Sequence, residues 1–279
     1  GTFQFSSKIL KKYGIEVSFI NYQNLEELEA TIKDNTAMIY IETPSNPLLK
    51  VSDINAIVEI AKKHNIKTVA DNTFMTALYQ KPLDLGCDIV IESLTKFVNG
   101  HSDVTAGCAV TNNEEIANEI CLLQKNFGGI LGVEDAWLIL RGMKTMGLRM
   151  EKSVENAKIL TKFLETQDKI KKVYYPNLTS CKFYDIHTEQ ASSGGAVFSF
   201  EFFEQDDLKI FLKKIKIPIY AISLGGVKSI ISHPATMSHA CMSEEERLAQ
   251  GVTQTLLRFS CGVEDSEDLI EDLKQALNN

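Results

Sequence analysis

Lys96 and Asp71 are the residues on which chemistry could be built. Asp71 closes a short apolar run, Thr68-Val69-Ala70, and Lys96 follows a second run, Asp88 to Ile91, with hydroxyls at Ser93 and Thr95 just before it. A glycine-containing turn, Asn99-Gly100, comes next. A lysine and an aspartate at the C-terminal ends of neighbouring strands have a known joint use. The amine can hold an aldehyde cofactor as a Schiff base, and the carboxylate can keep that cofactor's pyridine nitrogen protonated. The two hydroxyls are donors suited to a phosphate beside the lysine.

Other candidate groups read more plainly. Only four arginines, Arg141, Arg149, Arg247 and Arg258, occur among the 29 basic residues. Such a scarce arginine is a better candidate for carboxylate recognition than any one lysine. Asn46 lies between two prolines and by itself is a turn residue. His101 reads as a structural histidine, and His233 and His239 flank Pro234-Ala235-Thr236-Met237-Ser238 without a ligand constellation. The six cysteines (Cys87, Cys108, Cys121, Cys181, Cys241, Cys261) are scattered with no C-x-x-C, so neither a disulfide framework nor a metal site is expected. A reducing cytoplasm is the expected setting.

The elements that must position these residues follow from hydrophobic pattern and caps. Apolar spacing predicts a helix over 3–13 with Gly14 as its C-cap, then a strand over 15–20. Asn24 caps a second helix, with Glu27 at the capping-box position. Residues 37–41 form a buried strand, and Ser52 or Asp53 caps a helix through Lys63. Strands over 68–70, 88–91 and 107–110 follow, and then a helix from Glu114. Strands that alternate with helices imply a mostly parallel sheet with right-handed crossovers. Ligands of such sheets bind beyond the C-terminal strand ends, where the 42–47 loop, Asp71 and Lys96 all fall.

From Val133 to Leu164 the pattern is long and helical, broken at Gly142 and Gly147, and reads as a bridge to a second domain. That domain carries strands over 173–175, 196–202 and 255–260, a helix near 206–214 and a terminal helix over 266–277. It suits an α+β unit with a partly exposed antiparallel sheet. The expected boundary separates 1–147 from 148–279.

Bulk properties bound the partners. The 279 residues carry a net charge of −8, which argues against nucleic acid or an anionic membrane. There is no 18-residue apolar segment, and Gly1-Thr2 does not open a signal peptide.

Four strings carry a resemblance. They are Glu42-Thr43-Pro44-Ser45-Asn46-Pro47-Leu48-Leu49-Lys50, Asp71-Asn72-Thr73-Phe74, Ser93-Leu94-Thr95-Lys96 with Asn99-Gly100-His101-Ser102-Asp103, and Ser223-Leu224-Gly225-Gly226-Val227. In this order and spacing, from Gly1 to the last helix, the chain resembles the Cys/Met-metabolism family of pyridoxal-phosphate (PLP) enzymes. These include cystathionine β- and γ-lyases, cystathionine γ-synthases, methionine γ-lyases and O-acetylhomoserine sulfhydrylases. The resemblance implies a fold-type-I PLP enzyme: an α/β domain with a mostly parallel sheet, followed by a smaller C-terminal α+β domain. It makes Lys96 the Schiff-base lysine and Asp71 the pyridine-nitrogen partner. Ser93, Thr95 and Thr73 become cofactor ligands, and Asn46 lies near the cofactor's 3-hydroxyl. Ser223 helps to hold substrate and lysine, and Arg258 pairs with the substrate α-carboxylate, a task that favours arginine. It further implies a small sulfur amino acid as substrate, a place in methionine and cysteine metabolism, and a homo-oligomer built as a dimer of dimers.

Two departures shape the expected activity. Gly1-Thr2-Phe3 resembles a segment that lies well inside relatives, so a glycine-containing phosphate loop and a ring-stacking tyrosine are expected to precede it there. The chain as written is therefore expected to bind PLP poorly. Ile222 and Lys228 stand where many γ-specific relatives carry glutamate. The expected reaction is β-elimination from cystathionine or a cysteine S-conjugate. The alternatives are γ-replacement on an acylated homoserine, another PLP class such as an aminotransferase, and a truncated paralogue acting only as a subunit.

Overall fold

The computed structural model describes residues 1–240 and 242–278, and Cys241 of the cysteine set lies outside them. A helical stretch opens with α1 (Thr2–Gln4), widens over Phe5–Ile9 and tightens over Leu10–Tyr13. It stops at Gly14, whose φ of 74° gives the left-handed C-cap that a residue with a Cβ adopts reluctantly. Asn24 caps α2 (Leu25–Thr31) by accepting the Glu27 N–H at 3.2 Å. Asp53 caps α3 (Ile54–Lys63) through the Ala56 N–H at 2.9 Å.

Between these helices run β1 (Met38–Glu42), β2 (Lys67–Asp71) and β3 (Ile89–Glu92), with the short α4 (Thr76–Tyr79) before β3. The three strands are parallel neighbours, and β4 (Cys108–Val110) closes the sheet antiparallel to β3. Glu42 lies opposite Asp71 and Asp71 opposite Ile91, so the strands end level and send their loops to one side. Ile39, Ile41 and Ala70 of the sheet pack against Ile54, Ile57 and Ala61 of α3, which fixes that side relative to the helices.

The strand expected over 15–20 does not form. The segment has no regular structure, Ile15, Val17 and Phe19 are exposed, and it enters no ladder among the described residues. A strand pattern without a neighbour to pair with gains no hydrogen bonds.

The helix expected from Glu114 is α5 (Glu114–Phe127), and the helical pattern over 133–164 forms α6 (Val133–Met143) and α7 (Met146–Leu164). The break falls at Lys144-Thr145 rather than at the glycines. Gly142 sits in the last turn of α6 for another reason: a Cβ there would meet the Asn99 backbone carbonyl.

The second sheet has the order β5-β6-β9-β8-β7. Its strands are β5 (Ile170–Tyr174), β6 (Val197–Phe202), β7 (Ile219–Tyr220), β8 (Ile230–Ser232) and β9 (Leu256–Ser260). The helices are α8 (Tyr184–Gln190), α9 (Gln205–Lys214), α10 (Glu244–Ala249) and α11 (Ser266–Leu277). It is antiparallel except between β7 and β8. A partly exposed sheet was expected, and the exposure falls on the edge strands β5 and β7, whereas every residue of β6 and β9 is buried. Phe198 and Phe200 join a core with residues of α7, α9 and α11. Val197 and Ser199 face the other way and meet Phe97 and Pro47 of the first half. The alternation along β6 thus separates two interiors, not core from water.

Candidate active site

The turn carrying Lys96 is fixed from several directions. Lys96 N–H donates to the Ser93 carbonyl at 3.1 Å, and Gly100 N–H donates to the Lys96 carbonyl at 2.7 Å. Behind the turn lies Arg149 of α7. Its guanidinium donates to the carbonyls of Phe97 (2.8 Å), Val98 (3.1 Å) and Gly142 (2.9 Å). Gly100 has a φ of 76°, and a Cβ on it would collide with this guanidinium. In front, the turn beginning at Ser223 packs so closely that a Cβ on Gly225 would come within 2.7 Å of Phe97 N.

Ser223 itself is held with φ at 82°, outside the ordinary range for a residue with a Cβ. Its hydroxyl accepts from Lys96 Nζ at 2.6 Å, and its carbonyl accepts from Arg258 Nη2 at 2.6 Å. Arg258 Nη1 reaches Asn46 Oδ1 at 3.0 Å, and the Asn46 N–H donates to Glu42 Oε1 at 2.7 Å. One chain of hydrogen bonds therefore runs from the end of β1, through β9, to the lysine.

Electrostatics set the protonation states along it. Burial lowers the Lys96 pKa, and Arg258 lowers it further. A larger fraction of the amine is then neutral, as addition to an aldehyde requires. Arg258 is only 4% exposed, and burial pulls its pKa down to about 10. Its hydrogen-bond partners are neutral, and no carboxylate pairs with it among the described residues. Glu42 is pushed up to about 7 by burial, helped by the negative charge of Asp71 beside it.

Asp71 accepts the Thr73 N–H at 3.1 Å and the Tyr40 hydroxyl at 3.1 Å. Thr73 Oγ1 accepts the Ser93 N–H at 2.9 Å and so ties the ends of β2 and β3 together. The Ser93 hydroxyl makes no hydrogen bond among the described residues, whereas Thr95 is occupied: its Oγ1 donates to the Ala106 carbonyl at 3.2 Å and accepts the Ala106 N–H at 2.9 Å. Of the two hydroxyls, Ser93 is the one free to donate to a phosphate, and Thr95 would first have to turn away from Ala106. His101 is satisfied locally, its Nδ1 lying 2.7 Å from the Asn99 carbonyl.

The residues present fit PLP. An amine of lowered pKa, a strand-end carboxylate, a free hydroxyl and a buried, unneutralised guanidinium are the donors and acceptors that an aldehyde, a pyridine nitrogen, a phosphate and an amino-acid carboxylate require. Sequence reasoning missed three contributors. Arg149 was visible only as a scarce arginine. Glu42 carried the same strand-end signal as Asp71. Tyr40 had no signal in the sequence, because its contact with Asp71 crosses from β1 to β2.

The chain as a whole is similar to known proteins. The family model described as Cys/Met metabolism PLP-dependent enzyme matches residues 1–278. The cystathionine beta-lyase MetC of Bacillus subtilis (strain 168) is 46% identical over 277 residues, which is 99% of this chain and 71% of that protein. The cystathionine gamma-lyase of the same organism is 43% identical over 279 residues, 100% of this chain and 74% of that protein. The crystal structure of cystathionine gamma-lyase from Lactobacillus plantarum complexed with L-serine superposes with a TM-score of 0.96 at 37% identity. It covers 99% of this chain and 72% of that one.

Proposed function

The chain belongs to the Cys/Met metabolism family of PLP-dependent enzymes, and we propose that it eliminates from cystathionine or a related cysteine S-conjugate by breaking the β carbon–sulfur bond. The observation that carries this reading is Arg258, a buried cation without a carboxylate partner among the described residues, bonded into the network that ends on Lys96. When bound, PLP supplies an aldehyde for the substrate amine and a ring that takes up the electron pair left by the α-proton. Arg258 and Asn46 orient the substrate through its carboxylate, so that the Cα–H bond faces the lysine. Lys96 would anchor the cofactor and, once released, take the α-proton; burial and the Arg258 charge lower its pKa and so enlarge the neutral fraction that a base needs. Asp71 would keep a proton on the pyridine nitrogen, and Ser223, which already accepts from Lys96 Nζ, would guide the lysine. The net reaction consumes one water and converts cystathionine to homocysteine, pyruvate and ammonia.

β- rather than γ-elimination is favoured by Ile222, which stands beside Ser223 with 70% of its surface exposed and offers no carboxylate at a position where many γ-specific relatives carry one. The similarity to the Bacillus gamma-lyase favours the second reading. We also propose a domain boundary near residue 147: the two larger apolar clusters lie one on each side of it, and two smaller clusters join the halves. No helix of the described residues is long and apolar enough to cross a membrane, and the cytoplasm is the proposed location on the sequence grounds given above. Borohydride reduction of the PLP-loaded protein should leave the pyridoxyl group on Lys96, and cystathionine should yield pyruvate with homocysteine. Cysteine with 2-oxobutyrate would mean γ-elimination, and a label on another lysine would remove the assignment.

A further inference from the structure

The face of the second sheet that looks toward the site is unusually rich in serine. Ser199 on β6 and Ser232 on β8 both lie directly opposite Arg258 on β9, one on each side. Cross-strand partners project from the same face with their Cβ atoms about 5 Å apart. A fourth polar residue, Ser260, follows two positions after Arg258 on that same face.

Two of the three serines have evident work. Ser199 donates to the Pro47 carbonyl at 2.6 Å and so ties the 42–50 loop, with Asn46, to the sheet. Ser260 accepts the Gly225 N–H at 2.9 Å and holds the turn that follows Ser223. Ser232 does neither. Its hydroxyl is buried, the residue being 2% exposed, and it has no hydrogen-bond partner among the described residues. The Nε of Arg258, one residue across the ladder, is also buried and also without a partner among them.

Buried polar groups are rarely left unpaired, because each costs about 1–3 kcal/mol. Two orphans side by side, an N–H and an O–H that can both donate, ask for one shared acceptor. The proposed substrate brings such an acceptor, its α-carboxylate, to Arg258. We propose that Ser232 is a further substrate-binding residue, whose hydroxyl donates to the carboxylate that Arg258 takes along its Nε edge. This rests on the reading of Arg258 given above and adds to it a third donor from a neighbouring strand. The arrangement also accounts for why a polar residue is tolerated at a buried strand position where an alanine would cost the fold nothing.

The test uses the PLP-loaded protein and two amines, L-alanine and ethylamine, which differ by the carboxylate alone. Binding of each is read from the visible absorption of the cofactor. Ser232→Ala should weaken L-alanine roughly ten-fold, the usual effect of losing one hydrogen bond to a charged group, and should leave ethylamine unchanged. Ser232→Thr, which keeps the hydroxyl, should retain most of the affinity. The melting temperature of Ser232→Ala should equal or exceed that of the parent, because an unpaired buried hydroxyl has been removed. Unchanged L-alanine affinity would overturn the proposal and leave Ser232 with an ordered water at most. A melting temperature lowered by many degrees, with both amines equally weakened, would also overturn it and make the residue structural. Arg258→Lys is the control for the underlying reading: if it does not discriminate against L-alanine, it is the role of Arg258 that fails.

Discussion

Glu42 is a carboxyl whose ionisation the fold opposes. It sits at the end of β1 opposite Asp71, accepts the Asn46 N–H, and is pushed up to about 7, first by burial. Its carboxyl would ionise near 4.5 in the unfolded chain. Between these values the folded protein binds more protons than the unfolded one, so stability falls as pH rises through that window. Above pH 7 the loss from this group reaches about 3 kcal/mol. Glu42→Gln keeps an acceptor for Asn46 and removes the charge. Urea unfolding at pH 5 and at pH 8 should therefore show the variant gaining on the parent at the higher pH by up to that amount. Equal differences at both pH values would show that the carboxyl is not held protonated. The strand-end position alone does not separate Glu42 from Asp71. Their surroundings differ: Asp71 accepts the Thr73 N–H and the Tyr40 hydroxyl, and Glu42 accepts one N–H and lies beside a negative charge.

At the scale of elements, the junction of α6 and α7 is what holds the lysine turn. Arg149 joins three carbonyls from two segments, and the glycines at 100 and 142 are there because side chains would occupy the space that this packing uses. Arg149→Met keeps most of the stem volume and leaves those carbonyls without a donor. The expected cost is about 2–5 kcal/mol, a fall in melting temperature on the order of 5–15 °C for a chain of this size. Thermal unfolding of the PLP-loaded variant checks it, and a fall of only a degree or two would mean that water replaces the guanidinium. The helical pattern over 133–164 correctly announced α6 and α7. It misplaced the break, because a glycine chosen for close approach looks in sequence like one chosen to end a helix.

For the whole molecule, the surface of α5 and α6 is the unresolved demand. α5 has a capped start at Asn113 and an amphipathic pattern, yet buries none of its residues. Phe127, Ile130, Val133, Trp137 and Leu148 are exposed, Val133 to 90%. An apolar surface of this extent is characteristic of an interface, and the resemblance that names a homo-oligomer agrees with it. The protein should sediment as more than a monomer, and Phe127→Asp combined with Trp137→Glu should shift it toward the monomer. Sedimentation of the double variant as the same species as the parent would place the contact elsewhere.

The parallel pairing of β1 to β3, the cap at Asn24, a cap at Ser52 or Asp53, the positions of Asp71 and Lys96 at or beyond strand ends and the last helix over 266–277 were all legible in the sequence, because each depends on local pattern or on connection rules that hold for any parallel sheet. The motifs supplied Arg258, Asn46 and Ser223 as a resemblance, without saying how they meet. Only the tertiary structure decided that Arg258, Asn46, Ser223 and Lys96 form one chain of hydrogen bonds, that Thr95 is taken by Ala106, and that, among the described residues, Ser232 is left without a partner and the 15–20 segment enters no ladder. These outcomes depend on contacts between residues far apart in the chain. Such contacts are set by how two sheets and a helix junction pack, and no spacing or periodicity along the sequence records that packing.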